Sequence, residues 1–300
     1  MSILDLVGNT PLIALSHLSD DNSDVPIFGK AEFMNPSGSV KDRAAKAMIF
    51  DGIARGILTP GKIIIDATSG NTGIAYAMIG AVLGYKVVLF MPQNTSVERK
   101  RIIGHYGATI VETDPLEGSD GAYLAVKARV ESEPDRYFYP DQYNNSVNPL
   151  VHYTTTGQEI WEQTQHRVTH FITSVGTSGT FVGSARRLKE ENPLIKTLVV
   201  QPASPLHGIE GTKHMASSIK PGILDETLQD GVITVTTEEA YAMTRRLAKY
   251  QGLFVGVSSG ANVAAAVKLQ RSLTADAMVV TILCDNGSRY TAESFWNETP

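Results

Sequence analysis

Runs of aliphatic and β-branched residues alternate along the chain with stretches whose apolar positions recur every three to four residues. The short runs at 62–67 (KIIIDA), 86–91 (KVVLFM), 109–112, 170–174, 197–201, 232–235 and 279–283 read as strands. Several are continuous rather than alternating, as parallel strands buried on both faces are. The stretches 42–55, 72–83, 97–106, 118–130, 181–191, 237–250 and 261–271 read as helices. Thr237, Glu238 and Glu239 place a capping hydroxyl and acids at one helix start. Alternating strands and helices imply βαβ units with right-handed crossovers, hence an α/β fold with mostly parallel sheets. Residues 137–149 (YFYPDQYNNSVNP) interrupt the alternation; rich in Tyr, Asn and Pro, they read as a hinge joining two α/β halves with a cleft between them. No 20–50-residue period repeats, which argues against solenoids and propellers.

Composition narrows the class. The chain's 300 residues are 42% apolar and 19% charged, which excludes a disordered tail, a collagen and a disulfide scaffold. A net charge of −5 without a basic run lacks the footprint of a nucleic-acid binder. Cys284 is the single cysteine, so no intrachain disulfide and no cysteine-based zinc cluster can form, and a reducing cytoplasm suits it. The opening MSILDLVGNTPLIAL has no basic segment and is interrupted by Asp5, so no secretory leader is expected. No apolar run approaches the roughly 18 residues of a membrane helix.

The chemistry concentrates in loops of small polar residues at strand ends, where such folds bind ligands. These are 35–41 (NPSGSVK), 68–73 (TSGNTG), 176–180 (GTSGT) and 256–260 (GVSSG). Residues 176–180 lie between an apolar strand and a helix beginning near Phe181. Their glycines free the backbone and Thr177, Ser178 and Thr180 offer hydroxyls, so the loop reads either as a phosphate cradle or as a plain strand–helix turn. It matches neither a P-loop nor the dinucleotide fingerprint. Residues 68–73 suit a carboxylate, although a glycine turn with an N-cap gives the same pattern. Ser39 and Asp42 have the spacing of a capping box, which puts Lys41 in the first turn of a helix. The helix dipole opposes a positive charge there, and imine chemistry needs a neutral amine; most lysines, however, are simply solvated. The seven histidines, 17, 105, 152, 166, 170, 207 and 214, form no H-E-x-x-H or H-x-H pair, so no metal site is expected. No G-x-S-x-G nucleophile elbow occurs.

Taken in order, GNTPL (8–12), NPSGSVKDR (35–43), TSGNTG (68–73), DQYNNSVNP (141–149), GTSGT (176–180) and GVSSGAN (256–262) make the chain similar to the cysteine synthases. These are also called O-acetylserine sulfhydrylases, within the tryptophan-synthase-β-like, fold type II pyridoxal-phosphate enzymes. The ending CDNGSRY (284–290) resembles the cysteine synthase B branch. The resemblance covers nearly the whole chain. It implies two three-layer αβα domains: residues 1–36 and 147–300 form a large domain that binds the cofactor phosphate, and residues 37–146 a smaller, mobile domain that binds the substrate carboxylate, with pyridoxal 5′-phosphate in the cleft.

The residue roles follow from the same resemblance. Lys41 carries the cofactor and moves the α-proton. Gly176, Thr177, Ser178, Gly179 and Thr180 bind the phosphate. Asn71 bonds the pyridoxal 3′ oxygen, and Ser258 faces the ring nitrogen. Thr68, Ser69, Gly70, Asn71, Thr72 and Gln142 clamp the substrate carboxylate. The implied reaction is β-replacement on O-acetyl-L-serine or O-phospho-L-serine, by way of an α-aminoacrylate. Sulfide gives L-cysteine, and thiosulfate gives S-sulfocysteine. A cytoplasmic homodimer is implied, with serine acetyltransferase as a further partner and no nucleic acid or membrane.

The chain departs from the family pattern at 207–215 (HGIEGTKHM), where the B branch carries adjacent arginines and this sequence offers only Lys213 and His214. A cation there would hold thiosulfate or a donor phosphate; a solvated loop is the other reading. Cys284 is expected to line the pocket rather than act as a nucleophile, and Asp285 either approaches the ring or caps a turn. Competing readings are a cystathionine β-synthase-like, β-cyanoalanine synthase-like or cysteine desulfhydrase-like enzyme, which would use the same lysine and loops, or a non-catalytic binding protein on the fold.

Overall fold

The computed structural model describes every residue except 17, 19–23, 69, 299 and 300. His17 and Ser69, both named above, lie outside the described residues. The strands are β1 (Leu12–Leu15), β2 (Ile27–Ala31), β3 (Ile63–Ala67), β4 (Val87–Pro92), β5 (Thr109–Thr113), β6 (Tyr137–Phe138), β7 (His170–Ser174), β8 (Lys196–Pro202), β9 (Gly231–Val235) and β10 (Val279–Leu283). The α-helices are α1 (Lys41–Ala54), α2 (Asn71–Leu83), α3 (Val97–His105), α4 (Gly118–Ser132), α5 (Val147–Val151), α6 (Gln158–Gln163), α7 (Gly179–Glu191), α8 (Thr237–Gln251) and α9 (Val257–Gln270).

Every strand and helix predicted from the pattern is present. The largest shift is at α9, which begins at Val257 rather than Ala261. The cap of α8 is Thr236, not Thr237: its hydroxyl accepts from Glu239 N–H, and Glu239 accepts from Thr236 N–H, a complete capping box. Five elements escaped the pattern. β1 is four residues with mixed burial. β2 (IFGKA) hides an inward lysine: Lys30 is fully buried, and its ammonium lies 2.6 Å from Glu159. β6 spans two residues of the expected hinge. α5 and α6 are joined by a π-helical turn, His152–Gly157, whose extra residue breaks the 3.6-residue period that would have announced one helix.

The chain divides into two compact units, one of Met1–Val7 and Lys41–Asn148, the other of Gly8–Val40 and Pro149–Pro300. The first seven residues thus belong with the first unit, where Lys46 Nζ donates to the Leu4 carbonyl at 2.8 Å.

In the first unit a four-stranded parallel sheet runs β5-β4-β3-β6. Ile65, Ala67 and Phe90 pack against Ala122 and Val126 of α4. In the second unit a six-stranded sheet runs β1-β2-β10-β7-β8-β9, parallel except for β1. β10 shows why its sequence is apolar at every position but the buried Thr281, whose hydroxyl donates to the Ile172 carbonyl. Val279 and Leu283 join the core built with α8 and α9, while Val280 and Ile282 join the core built with α6 and α7. A strand covered on both faces has no position for an exposed polar residue.

Candidate active site

In the first unit the carboxyl end of β3 runs into residues 68–70 and then α2. Gly70 is the N-cap, with φ 157° and ψ −79°, a conformation open to glycine and strained for other residues. The Thr68 hydroxyl accepts from the N–H groups of Gly70 (3.2 Å) and Gly73 (3.3 Å), curling the loop over the helix start. Gln142 is fastened to this loop twice. Its Oε1 accepts from Thr72 Oγ1 at 2.9 Å, and its Nε2 donates to the Ala67 carbonyl at 3.2 Å. Asn148 Nδ2 donates to the Gln142 carbonyl at 2.8 Å and holds that segment in place. Thr68, Thr72 and Gln142 are all buried. The structure therefore brings Gln142 to Ala67 and Thr72, although some seventy positions separate them in sequence.

Lys41 is the first residue of α1, in the first turn of a helix as the sequence predicts. Ser39 pairs in a β-bridge with Asp285.

Sequence reasoning passed over two groups beside the loop. Asp66, the penultimate residue of β3, is fully buried and accepts from Ala67 N–H at 2.7 Å. Burial pushes its pKa up to about 8, with the Tyr76 hydroxyl and the Ala67 N–H acting the other way. Arg99, on α3, packs its side chain against Gly70. Acid and arginine both look like surface residues in an apolar pattern, and only tertiary packing shows that they are not.

In the second unit the ends of β7 and β10, neighbours in the sheet, carry residues 175–178 and 284–286. α7 begins at Gly179, two residues earlier than expected, so Gly179 and Thr180 lie in its first turn, whose N–H groups have no acceptor within the helix. Ser178, the N-cap, adopts a left-handed conformation (φ 72°). Its hydroxyl is buried and has no hydrogen-bond partner among the described residues. Gly176 is pressed against the Gly211 carbonyl, leaving no room for a Cβ. Thr180 Oγ1 lies 3.3 Å from His152 Nε2, and His152 Nδ1 lies 2.9 Å from Thr156 Oγ1. His152, buried in the π-helical turn, was counted above among ordinary histidines because the turn that aims it leaves no period to read.

Ser258 is buried in the first turn of α9. Asn262, four residues on, accepts from Ser174 N–H at 2.7 Å and donates to the Ile282 carbonyl at 2.8 Å; its Nδ2 is 3.4 Å from Cys284 Sγ. Cys284 N–H donates to Ser259 Oγ at 2.8 Å. These bonds gather Ser174, Ser259, Asn262 and Cys284 at the carboxyl ends of β7 and β10, the two central strands of the sheet. The Asp285 carboxylate accepts from the Tyr290 hydroxyl at 2.6 Å. Lys213 and His214 are turned to their own segment: Lys213 Nζ donates to the Ile219 carbonyl at 3.3 Å, and His214 Nδ1 lies 2.8 Å from Ser217 Oγ. The Lys213 N–H donates to the Val175 carbonyl at 2.8 Å, which ties this segment to the strand end preceding Gly176.

The 176–180 loop fits a phosphate monoester. A buried hydroxyl without a partner costs on the order of 1–3 kcal/mol, and an anion accepting from it removes that cost. The site adds the N–H groups and positive end of a 13-residue helix. Among the described residues no group of three or more His, Cys, Asp or Glu could hold a metal ion, and no helix is long and apolar enough to cross a membrane.

Residues 3–285 match the family model described as pyridoxal-phosphate dependent enzyme. The chain is 51% identical to a cysteine synthase of Aquifex aeolicus, over 99% of this chain and 92% of that protein. It is 43% identical to cysteine synthase B of Salmonella typhimurium, over 97% of this chain and 95% of that protein. Among solved structures, cysteine synthase from Entamoeba histolytica superposes with a TM-score of 0.94 at 35% identity, covering 100% of this chain and 91% of that one.

Proposed function

The chain belongs to the pyridoxal-phosphate-dependent enzymes, and from that premise we propose that it is a cysteine synthase replacing the β-substituent of an O-activated L-serine with sulfur. The observation that carries the cofactor's placement is the Ser178 hydroxyl, buried and unpartnered at the start of α7. When bound, pyridoxal phosphate supplies an electron sink that acidifies the α-proton of an attached amino acid and labilises its β-substituent.

The protein supplies the rest. Lys41 offers the amine that carries the cofactor and takes, then returns, the α-proton. Gly176, Thr177, Ser178, Gly179 and Thr180 bind the phosphate through N–H groups and hydroxyls. Asn71 bonds the 3′ oxygen. Ser258 faces the ring nitrogen with a hydroxyl, which does not compel protonation as a carboxylate would, and this favours β-elimination over transamination. Thr68, Ser69, Gly70, Asn71, Thr72 and Gln142 orient the substrate by its carboxylate; the Gln142–Thr72 bond supports this reading by holding both partners at the loop. On this reading the Lys41–Asn148 unit serves the substrate and the Pro149–Pro300 unit the phosphate. Cys284 lines the pocket. Lys213 and His214 tune the choice of donor or sulfur source, and Lys213→Ala, by removing the ammonium that bonds the Ile219 carbonyl, shifts the preference between sulfide and thiosulfate.

Three finer proposals accompany this one: a cytoplasmic location, a homodimer of the 32.4 kDa chain, and association with serine acetyltransferase. Sedimentation of the purified protein, alone and with the acetyltransferase, tests the last two.

The reaction is tested by the visible absorption of the cofactor-loaded protein, with O-acetyl-L-serine and O-phospho-L-serine added separately and sulfide withheld. One donor is expected to replace the resting band, and sulfide or thiosulfate to restore it with release of product. A resting band unmoved by either donor refutes cysteine synthesis.

A further inference from the structure

The residues just before Lys41 are held one by one by the stretch that follows β10. Val40 N–H donates to the Cys284 carbonyl at 2.8 Å, Ser39 pairs with Asp285, and the Gly38 carbonyl accepts from Asn286 N–H at 3.1 Å. Ser37 is held by a side chain instead: Arg289 Nη2 donates to its carbonyl. The same nitrogen lies against Gly38, where an added Cβ would meet it at 2.9 Å. Gly38 has φ 85°, a left-handed conformation that disfavours a side chain. The guanidinium thus covers a tight turn that cannot cover itself, and Arg289 is buried in doing so. It belongs to the 3-10 turn Gly287–Tyr290, which is itself fastened. Asn286 caps the turn by accepting from Ser288 N–H at 2.8 Å, and Gly287 N–H donates to the Phe254 carbonyl at 2.9 Å. The next residue, Tyr290, bonds Asp285, the partner of Ser39. One turn therefore grips the arm of Lys41 at two points, Ser37 through Arg289 and Ser39 through Tyr290 and Asp285.

We infer that Arg289 is a positioning residue for Lys41: by bonding the Ser37 carbonyl and covering Gly38, it fixes the backbone from which the lysine amine reaches the cofactor and the α-proton. The inference rests on the reading of Lys41 as that amine. A guanidinium is a costly filler for a buried place, but it fixes a backbone carbonyl as an apolar side chain cannot. Its planar fork can bond the carbonyl and lie flat on the glycine at once, whereas an ammonium is a single point of contact. Imine exchange and proton transfer both require the amine at a set distance from the reacting atom, and a small displacement lowers their rates. The substrate carboxylate is read as held by other residues. Loss of Arg289 therefore falls on the steps that use the amine and spares the affinity for the amino acid.

The test compares wild type, Arg289→Met, Arg289→Lys and Gly38→Ala. Three quantities are read: the rate at which the visible band develops when pyridoxal phosphate is added to cofactor-free protein; the dissociation constant of L-serine, from the band of the loaded protein; and kcat for O-acetyl-L-serine carrying hydrogen or deuterium at Cα. Arg289→Met is expected to slow band development and to lower kcat by about tenfold or more each, to enlarge the isotope effect on kcat, and to leave the L-serine constant within about threefold. Arg289→Lys recovers little of the loss, and Gly38→Ala, which disturbs the same contact from the other side, gives the same pattern. If Arg289→Met does not fold, the other two variants carry the test on the same readouts. Unchanged band development, kcat and isotope effect overturn the inference. A fall in kcat matched by an equal loss of L-serine affinity also overturns it, because that marks a general loosening. Borohydride reduction of the loaded wild type that fixes the cofactor to a residue other than Lys41 would instead sink the reading of Lys41 beneath it.

Discussion

At the scale of single residues, the fold places groups where ordinary chemistry would not leave them. Asp66 is the plainest case. An unfolded aspartate gives up its proton near the ordinary value of 3.8, whereas folded Asp66 keeps it to about 8. Between those values the folded state binds a proton that the unfolded state does not, so stability falls as pH rises through this window and levels off above it. Asp66→Asn removes that slope. Its melting temperature relative to wild type is expected to climb from pH 5 to pH 8.5, and a constant difference contradicts the assignment. Ser178 is the second case. If its hydroxyl serves the cofactor phosphate, Ser178→Ala weakens cofactor binding about tenfold, the worth of one hydrogen bond to a charged acceptor, without lowering the stability of the cofactor-free protein. Equilibrium dialysis against pyridoxal phosphate reads the first quantity and thermal melts the second.

At the scale of elements, α7 is held by close backbone contact. A Cβ on Gly183 would run into the Pro149 carbonyl and lie 2.7 Å from both Tyr153 N and His152 Cβ, so α7 meets α5 and the π-helical turn with no side chain between them. Backbone cannot yield as a side chain does. Gly183→Ala is expected to cost about 1–3 kcal/mol in a denaturant melt, and to weaken cofactor binding because the same contact fixes Thr180 against His152. β2 is bound to α6 by a different device, the Lys30–Glu159 pair. Lys30→Met leaves Glu159 without its cation and is expected to cost about 3–5 kcal/mol; adding Glu159→Gln recovers most of it. A double variant as unstable as the single one argues that the lysine acts through packing alone.

At the scale of the whole molecule, the pattern of apolar residues disclosed the α/β class and the principal strands and helices, because parallel strands buried on both faces write continuous apolar runs. It did not disclose β2, whose buried Lys30 is tolerated because Glu159 and Gln163 arrive from far along the chain. Nor did it disclose the turn at His152–Gly157, because an inserted residue erases the period. The candidate site divides the same way. The loops 68–73 and 176–180 were legible as small polar residues at strand ends, and their order along the chain carried the family resemblance. Arg99, Asp66 and His152 were not legible, since each depends on a neighbour distant in sequence or on local geometry that no periodicity encodes.

The central claim is that Lys41 and a pyridoxal-phosphate cofactor convert an O-activated serine to cysteine. It is tested most directly by assaying L-cysteine formed from O-acetyl-L-serine and sulfide, with wild type and Lys41→Ala loaded with cofactor side by side. The account predicts sustained turnover by wild type, with one acetate released per cysteine, and a loss of about a thousandfold or more in Lys41→Ala. Wild type that forms no cysteine, or a Lys41→Ala variant within tenfold of it, would contradict the account.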